Sequence, residues 1–352
     1  MSCEIKRSVS LYSYQDEFYN HQLDLEGCLR ETAKAGATGV ELLAEQMIRR
    51  FPLPIEDEAF REQWFGWLKQ YGLTPSCYDA FLENRIFDNR TLCLGEQIGM
   101  MKRDIRLASL LGFPVLRTLV STPLDVIEGS LSYAEQMNVK IGLEVHAPFS
   151  LNSSWAEGYL SMIRRTGTRF FGFIPDMGIF CKNIPDVTRE QYRRKGAKDE
   201  CLRIVDECYA QRREKGFVKI KYDLNLGKAN MEYRMANGMQ EMMDAVKRAG
   251  GGPADFGYAN ESFVYSWSDP QDLIDNIEYI FHTHAKCYNI HEDYTETATD
   301  IAGVVDAYKK AGYTGFLSTE YEGGEHLRDD LPVDSVEQVR RHQEALRRAI
   351  EG

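Results

Sequence analysis

Amphipathic stretches alternate along this chain with short apolar runs, and each apolar run ends in polar or charged residues. The long stretches carry a helical period and the runs are strand-sized, a cadence of repeated βα units. Strands are predicted at Ser8 to Ser13, Thr38 to Leu43, Leu73 to Asp79, Pro114 to Leu119, Val139 to His146, Phe170 to Asp176, Tyr279 to Lys286 and Gly315 to Tyr321. Helices are predicted over Leu23 to Ala35, Glu58 to Tyr71 and Glu96 to Leu111, closed by Gly36, Gly72 and Gly112. Glycine suits these closing positions because a helix commonly ends in left-handed backbone. Eight βα units predict an α/β fold, a (β/α)8 TIM barrel, whose usual length is about 250 residues.

The chain has 352 residues, and the surplus falls between the sixth and seventh strands, where the spacing is far wider than elsewhere. A helical insertion is therefore expected at about 184–267 within a single domain spanning 1–352. Inside it, helices are expected near Lys198 to Glu214 and Ala229 to Ala249, flanking a β-like run at Val218 to Leu224. Met231, Met235, Met239, Met242 and Met243 form a helical stripe there, read as core packing, and Trp64 and Trp67 are expected to face the barrel. A doubly wound nucleotide-binding sheet is the competing fold, but no glycine-rich phosphate loop follows the first strand.

Composition narrows the function classes. The formal net charge is −12 and acidic residues are spread along the chain, which disfavours nucleic acid as a partner. The polar start, Met1 to Ser8, carries no export signal, and no apolar stretch is long enough for a membrane span. The eight cysteines include no C-x-x-C pair and read as reduced thiols in a cytoplasmic protein.

In such a barrel the reactive groups come from the C-terminal ends of the strands. Four successive ends carry ionisable residues: Glu144 and His146, Asp176, then His282, His284 and Lys286, and finally Glu320. Such groups are costly to bury unless paired or metal-bound. Glu144, Asp176, His284 and Glu320 offer three carboxylates and one imidazole, which suits Mn²⁺, Mg²⁺ or Co²⁺ better than a thiolate zinc site. A buried ion-pair belt with Lys286 or Arg117 is the competing reading. Residues two apart on a strand share a face, about 6–7 Å apart, so His146 stands beside Glu144 where a general base belongs. A ligand-orienting role is the alternative for this histidine. By the same rule His282 lies deeper than His284, and Lys286 stands higher, where it holds a substrate oxygen or neutralises carboxylates. Tyr12, Tyr14, Arg117 and His282 are candidate substrate-binding residues; Glu41, Tyr78 and Asp79 are weaker candidates for the same pocket.

At these residues the sequence resembles the xylose isomerase-like barrel superfamily, the sugar phosphate isomerase/epimerase group. The resemblance implies that Glu144, Asp176, His284 in His-Ala-Lys and Glu320 in Ser-Thr-Glu hold the metal. Two positions depart from the common pattern: Ile179 stands where many members carry histidine, and Cys287 where many carry aspartate. The family's DNA-repair branch fits poorly with seven histidines and a −12 charge. Ser10 to Gln15, the Glu144-Val145-His146 run and the overall size resemble the larger, α-type subunits of bacterial C-glycoside deglycosidases. That branch implies a Mn²⁺-dependent lyase acting on 3-oxo-C-glycosides, with a smaller β subunit completing a hetero-oligomer; Zn²⁺ is a further candidate metal. His146 would be the base, with Lys286 or an acidic residue assisting departure of the aglycone. An isomerase or epimerase running on the same metal site, or a non-catalytic sugar-binding or assembly subunit, are the alternatives.

Overall fold

All eight predicted strands form. In the computed structural model, which describes residues 5–221, 223, 225–324 and 332–352, they are β1 (Lys6–Ser10), β2 (Gly39–Leu42), β3 (Thr74–Asp79), β4 (Val115–Thr118), β5 (Lys140–Val145), β6 (Phe171–Pro175), β7 (Thr283–Cys287) and β8 (Phe316–Tyr321). Every pairing is parallel, in the order β6-β5-β4-β3-β2-β1-β8-β7. Bridges Phe173–Ile280 and Asp176–His284 join the two ends, supported by the Phe281 N–H donating to the Phe173 carbonyl at 3.1 Å. The sheet thereby becomes a barrel, and its helices lie between successive strands.

Helix ends follow their local chemistry. Asp24 caps Leu25–Lys34 by accepting from the Gly27 N–H, and Asp57 caps Glu58–Tyr71 by accepting from the Ala59 N–H. Gly72 closes the second helix at φ 67°, a left-handed value. Trp64 on that helix is fully buried and donates its indole N–H to the Leu111 carbonyl; Trp67 is half-buried.

Small residues on the inward face let side chains of neighbouring strands fill the barrel. A Cβ on Gly172 would lie 2.3 Å from the Tyr279 carbonyl oxygen and 2.8 Å from the Phe281 ring. That backbone oxygen sits where β6 meets the approach to β7, so relief requires moving the closing seam. Gly172→Ala is expected to lower stability by about 1–3 kcal/mol, as overpacking does; an unchanged denaturation midpoint would show that the seam yields freely.

The expected insertion holds five helices among the described residues, Asp186–Arg194, Asp199–Lys215, Leu226–Ala236, Met239–Arg248 and Pro253–Glu261. The single helix expected at Ala229 to Ala249 is broken. Gly238 takes φ 81°, and the Asn237 side chain accepts from the Val218 N–H and donates to the carbonyls of Val218 and Tyr233. Residues 218–221 and 223 form no strand, and residues 222 and 224 of that expected run lie outside the described residues. The break divides the methionine stripe: Met242 is buried and Met239 and Met243 are half-buried, whereas Met231 and Met235 are exposed.

The insertion starts and ends on the barrel. Phe180 pairs with Trp267, Cys181 pairs with Thr299, and the Cys181 N–H donates to the Ser266 carbonyl at 3.0 Å. Its apolar residues, including Val205, Tyr209, Tyr258 and Phe263, belong to the same buried cluster as Trp155, Phe171 and Phe173 of the barrel. The seven described cysteines are free thiols; Cys3 lies outside the described residues. No helix among the described residues is long and apolar enough to cross a membrane.

Candidate metal centre and cavity

Strand alternation carries four acidic or imidazole side chains to one level of the barrel interior. Glu144 on β5, Asp176 just beyond β6, His284 on β7 and Glu320 on β8 are buried, and one ligand-type atom of each lies within 4.8 Å of the others. Asp176 is fixed by accepting the Gly178 N–H at Oδ1, 2.6 Å away, as the chain turns out of β6. The Nδ1 of His284 faces Glu144 Oε1 at 2.8 Å and Glu320 Oε1 at 3.5 Å.

Around this set the charges do not balance. Glu41, Asp79, Glu144, Asp176 and Glu320 are buried carboxylates, against the cations Arg117 and Lys286 and the His284 imidazole. Arg117 Nη2 lies 2.9 Å from Glu144 Oε2 and its Nε lies 3.8 Å from Asp79. Lys286 Nζ lies 2.6 Å from Asp176 Oδ2, 3.0 Å from Glu322 and 3.3 Å from Glu320 Oε2. Despite burial, Arg117 and His284 hold Glu144 well below the usual carboxylate range. Burial and the nearby Glu41 push Asp79 well above it. Burial raises Asp176 to about 6 even with Lys286 beside it. Asp79 Oδ1, Asp176 Oδ2 and Glu320 Oε2 are buried without a hydrogen bond of normal geometry. Surplus buried carboxylate, with oxygens held by ion pairs but by no hydrogen bond of normal geometry, is what a divalent cation relieves, so the donor set fits one.

A cavity of about 330 Å³ opens above this layer, lined by Asp79, Arg117, Glu144, His146, Asp176, Lys286 and Glu320 together with Tyr12. His146 is half-buried, and its Nδ1 lies 2.9 Å from the Ala147 carbonyl oxygen. A carbonyl only accepts, so Nδ1 carries the proton and Nε2 the lone pair. Beside Asp176 and Glu320, Lys286 is held charged: burial opposes its charge, but Asp176, Glu320 and Glu322 raise its pKa well above the ordinary value.

Two expected pocket residues lie elsewhere. Tyr14 is fully buried and does not line the cavity, because the chain leaves β1 at Ser10 for a 3-10 turn, Leu11–Tyr14, where the two-residue alternation lapses. His282 is on the expected face but one step too deep, with Nε2 donating to Glu41 Oε2 at 2.6 Å. Of the weaker candidates, Asp79 lines the cavity, while Glu41 and Tyr78 are buried away from it. Sequence periodicity passed over Leu43, Gln46, Phe81, Val264, Tyr288 and Glu322, which also line the cavity. Of these, Phe81, Tyr288 and Glu322 each follow an inward strand-end residue by two positions, a signal the sequence did contain.

No family model matches the sequence. The chain is 27% identical over 351 residues to a C-glycoside deglycosidase alpha subunit from Arthrobacter globiformis, covering 99% of this chain and 93% of that one. It is 25% identical over 330 residues to a 3'-dehydrocarminate deglycosidase alpha subunit from Microbacterium sp, covering 93% and 91%. Among solved structures it resembles the IOLI protein with a bound zinc atom, at a TM-score of 0.52 and 13% identity, over 99% of this chain and 98% of that one. A xylose isomerase domain protein from Alicyclobacillus acidocaldarius gives a TM-score of 0.50 at 11% identity, over 94% of each chain. In fold, then, this chain is a TIM barrel like these solved structures, and in sequence it is similar over nearly its whole length to C-glycoside deglycosidase alpha subunits.

Proposed function

We propose that this chain is the catalytic subunit of a metal-dependent lyase that cleaves the carbon-carbon bond between a 3-oxo sugar and an aglycone. The observation that carries this reading is the placement of His146 in one cavity with Glu144, Asp176 and Glu320, on a chain similar throughout to deglycosidase alpha subunits. Glu144, Asp176, His284 and Glu320 would hold a divalent cation, which would supply positive charge for an anionic oxygen on the sugar. Three carboxylates and one imidazole favour Mn²⁺, with Mg²⁺, Co²⁺ and Zn²⁺ as alternatives.

The steps follow from the cavity's own groups. His146 Nε2 takes the proton from C2 of the sugar, acidified by the C3 carbonyl, and the electron pair moves onto the carbonyl oxygen to give an enolate. Re-forming the C3 carbonyl shifts the double bond to C1–C2 and breaks the bond from C1 to the aglycone, whose carbon leaves with the electron pair. That carbon takes a proton from the donors the cavity presents, charged His146 or Lys286. Arg117 keeps Glu144 ionised throughout. Returning the proton to carbon without elimination would instead give an isomerase or epimerase.

The relatives are called alpha subunits, and a smaller β subunit in a hetero-oligomer is part of this reading, as is a cytoplasmic setting. The test is incubation of a 3-oxo-C-glucoside with the Mn²⁺-loaded chain and its small subunit. Release of aglycone is expected; deuterium exchange at C2 without release would favour the isomerase, and neither would leave a sugar-binding or assembly subunit.

Loading depends on pH with a defined sign. Burial pushes the Asp176 carboxyl up to about 6, and it must lose its proton to bind a cation. Mn²⁺ affinity is therefore expected to fall as pH drops through 6; calorimetric titration between pH 5 and 8 showing a flat profile would contradict this.

A further inference from the structure

Glu41 reaches His284 across the barrel. Their strands, β2 and β7, are not neighbours, because β1 and β8 stand between them. Contact is possible because the intervening strands place serines on the inward face. Ser10 pairs in register with Glu41, Ser8 with Ser318, and Ser318 with His284, and all three serines are fully buried. A TIM barrel ordinarily fills such positions with bulky branched side chains. Here the small residues leave a passage through which a glutamate side chain extends.

At the end of that passage the atoms are specific. Glu41 Oε2 accepts from His282 Nε2 at 2.6 Å, which anchors the carboxylate from below. Glu41 Oε1 lies 3.1 Å from His284 Nε2, an ion-pair distance without normal hydrogen-bond geometry, and neither of these two buried atoms has any hydrogen-bond partner. The opposite nitrogen, Nδ1, is the one that faces Glu144 and Glu320. A neutral imidazole has one N–H and one lone pair, so a cation on the Glu144 side needs the lone pair on Nδ1 and the proton on Nε2.

We propose that Glu41 is a positioning residue for the metal centre: from across the barrel it accepts the Nε2–H of His284, and so holds the tautomer and ring angle that present Nδ1 to a cation. This rests on the cation-site reading given above. His282, rather than contacting substrate, is the anchor that keeps Glu41 in place. The fully buried Glu41 carboxylate thus has a task distinct from the cavity-lining role its sequence position suggested.

Two measurements on the full chain test it. In ¹⁵N-labelled protein loaded with Zn²⁺, long-range proton–nitrogen spectra are expected to show His284 protonated at Nε2 and metal-bound at Nδ1; the reverse assignment overturns the proposal. In Glu41→Gln, the amide offers one acceptor where two histidines need one each, and Mn²⁺ binding is expected to weaken by about 10–100-fold, with far-UV circular dichroism reporting a retained fold. Unchanged affinity in Glu41→Gln removes Glu41 from the site while leaving the cation reading intact. If the wild-type chain binds neither Mn²⁺ nor Zn²⁺, the cation reading falls and this proposal with it. Should Glu41→Gln fail to fold, the wild-type tautomer alone decides.

Discussion

Exchange of His146 for alanine is expected to lower kcat by about 10²–10⁴-fold, the range of a positioned general base, with KM changed far less. The argument begins with strand alternation, which puts His146 two residues beyond Glu144 at the rim of the same cavity. The Ala147 carbonyl then selects the tautomer by accepting from Nδ1 at 2.9 Å, leaving Nε2 as the proton acceptor. Phe149 stands edge-on to the imidazole with ring centres 6.1 Å apart and limits its swing. Because His146 is half-buried and makes no ion pair among those described here, its removal should leave metal content and melting temperature near wild type. A kinetic trace at several pH values, with metal content measured on the same sample, checks this. Full activity in His146→Ala would remove it as the base; equal loss of metal and activity would instead make it a support for the ligands.

The second large effect concerns stability. Arg117 is buried on β4 between Glu144 and Asp79, and its guanidinium is held charged by them against the cost of burial. Arg117→Met keeps much of the apolar stem but strands two carboxylates in the barrel. Breaking a buried pair in this way costs about 3–5 kcal/mol. The sign with pH follows from Glu144, whose depressed pKa contributes stability above the unfolded carboxylate value and loses it as pH falls. The difference between variant and wild type is therefore expected to be largest near neutral pH and to shrink in acid. Mn²⁺ should restore part of it by supplying positive charge to Glu144, and so should the double exchange with Glu144→Gln. Denaturant midpoints at pH 5 and 7, with and without Mn²⁺, measure all of this; a pH-independent loss would assign the effect to packing alone.

Much of the metal layer was legible because strands repeat every two residues. Glu144 with His146, and His282 with His284 and Lys286, needed nothing beyond that period to be placed on one face. The same rule misplaced Tyr14, since it assumes a strand that ends at Ser13, whereas β1 ends at Ser10 and a tighter turn rotates the next side chains. It also gives face but not function at depth, which is why His282 and Glu41 looked like pocket residues. Their meeting depends on serines on the two intervening strands, a spatial relation that no linear period encodes. Val264 sits in a segment without a repeat, so its arrival at the cavity wall follows from how the chain packs there. Within the insertion, the methionine spacing looked continuous, but Gly238 and the Asn237 hydrogen bonds redirect the backbone midway.

Val264 has a separate implication. It belongs to the insertion, is 47% exposed, and yet forms part of the wall of a cavity whose charged floor comes wholly from the barrel strands. Floor and wall are thus supplied by different stretches of chain, tied together at the Phe180–Trp267 and Cys181–Thr299 bridges. A substitution at Val264 therefore reshapes the cavity wall without touching the strands that carry Glu144, His284 and Glu320.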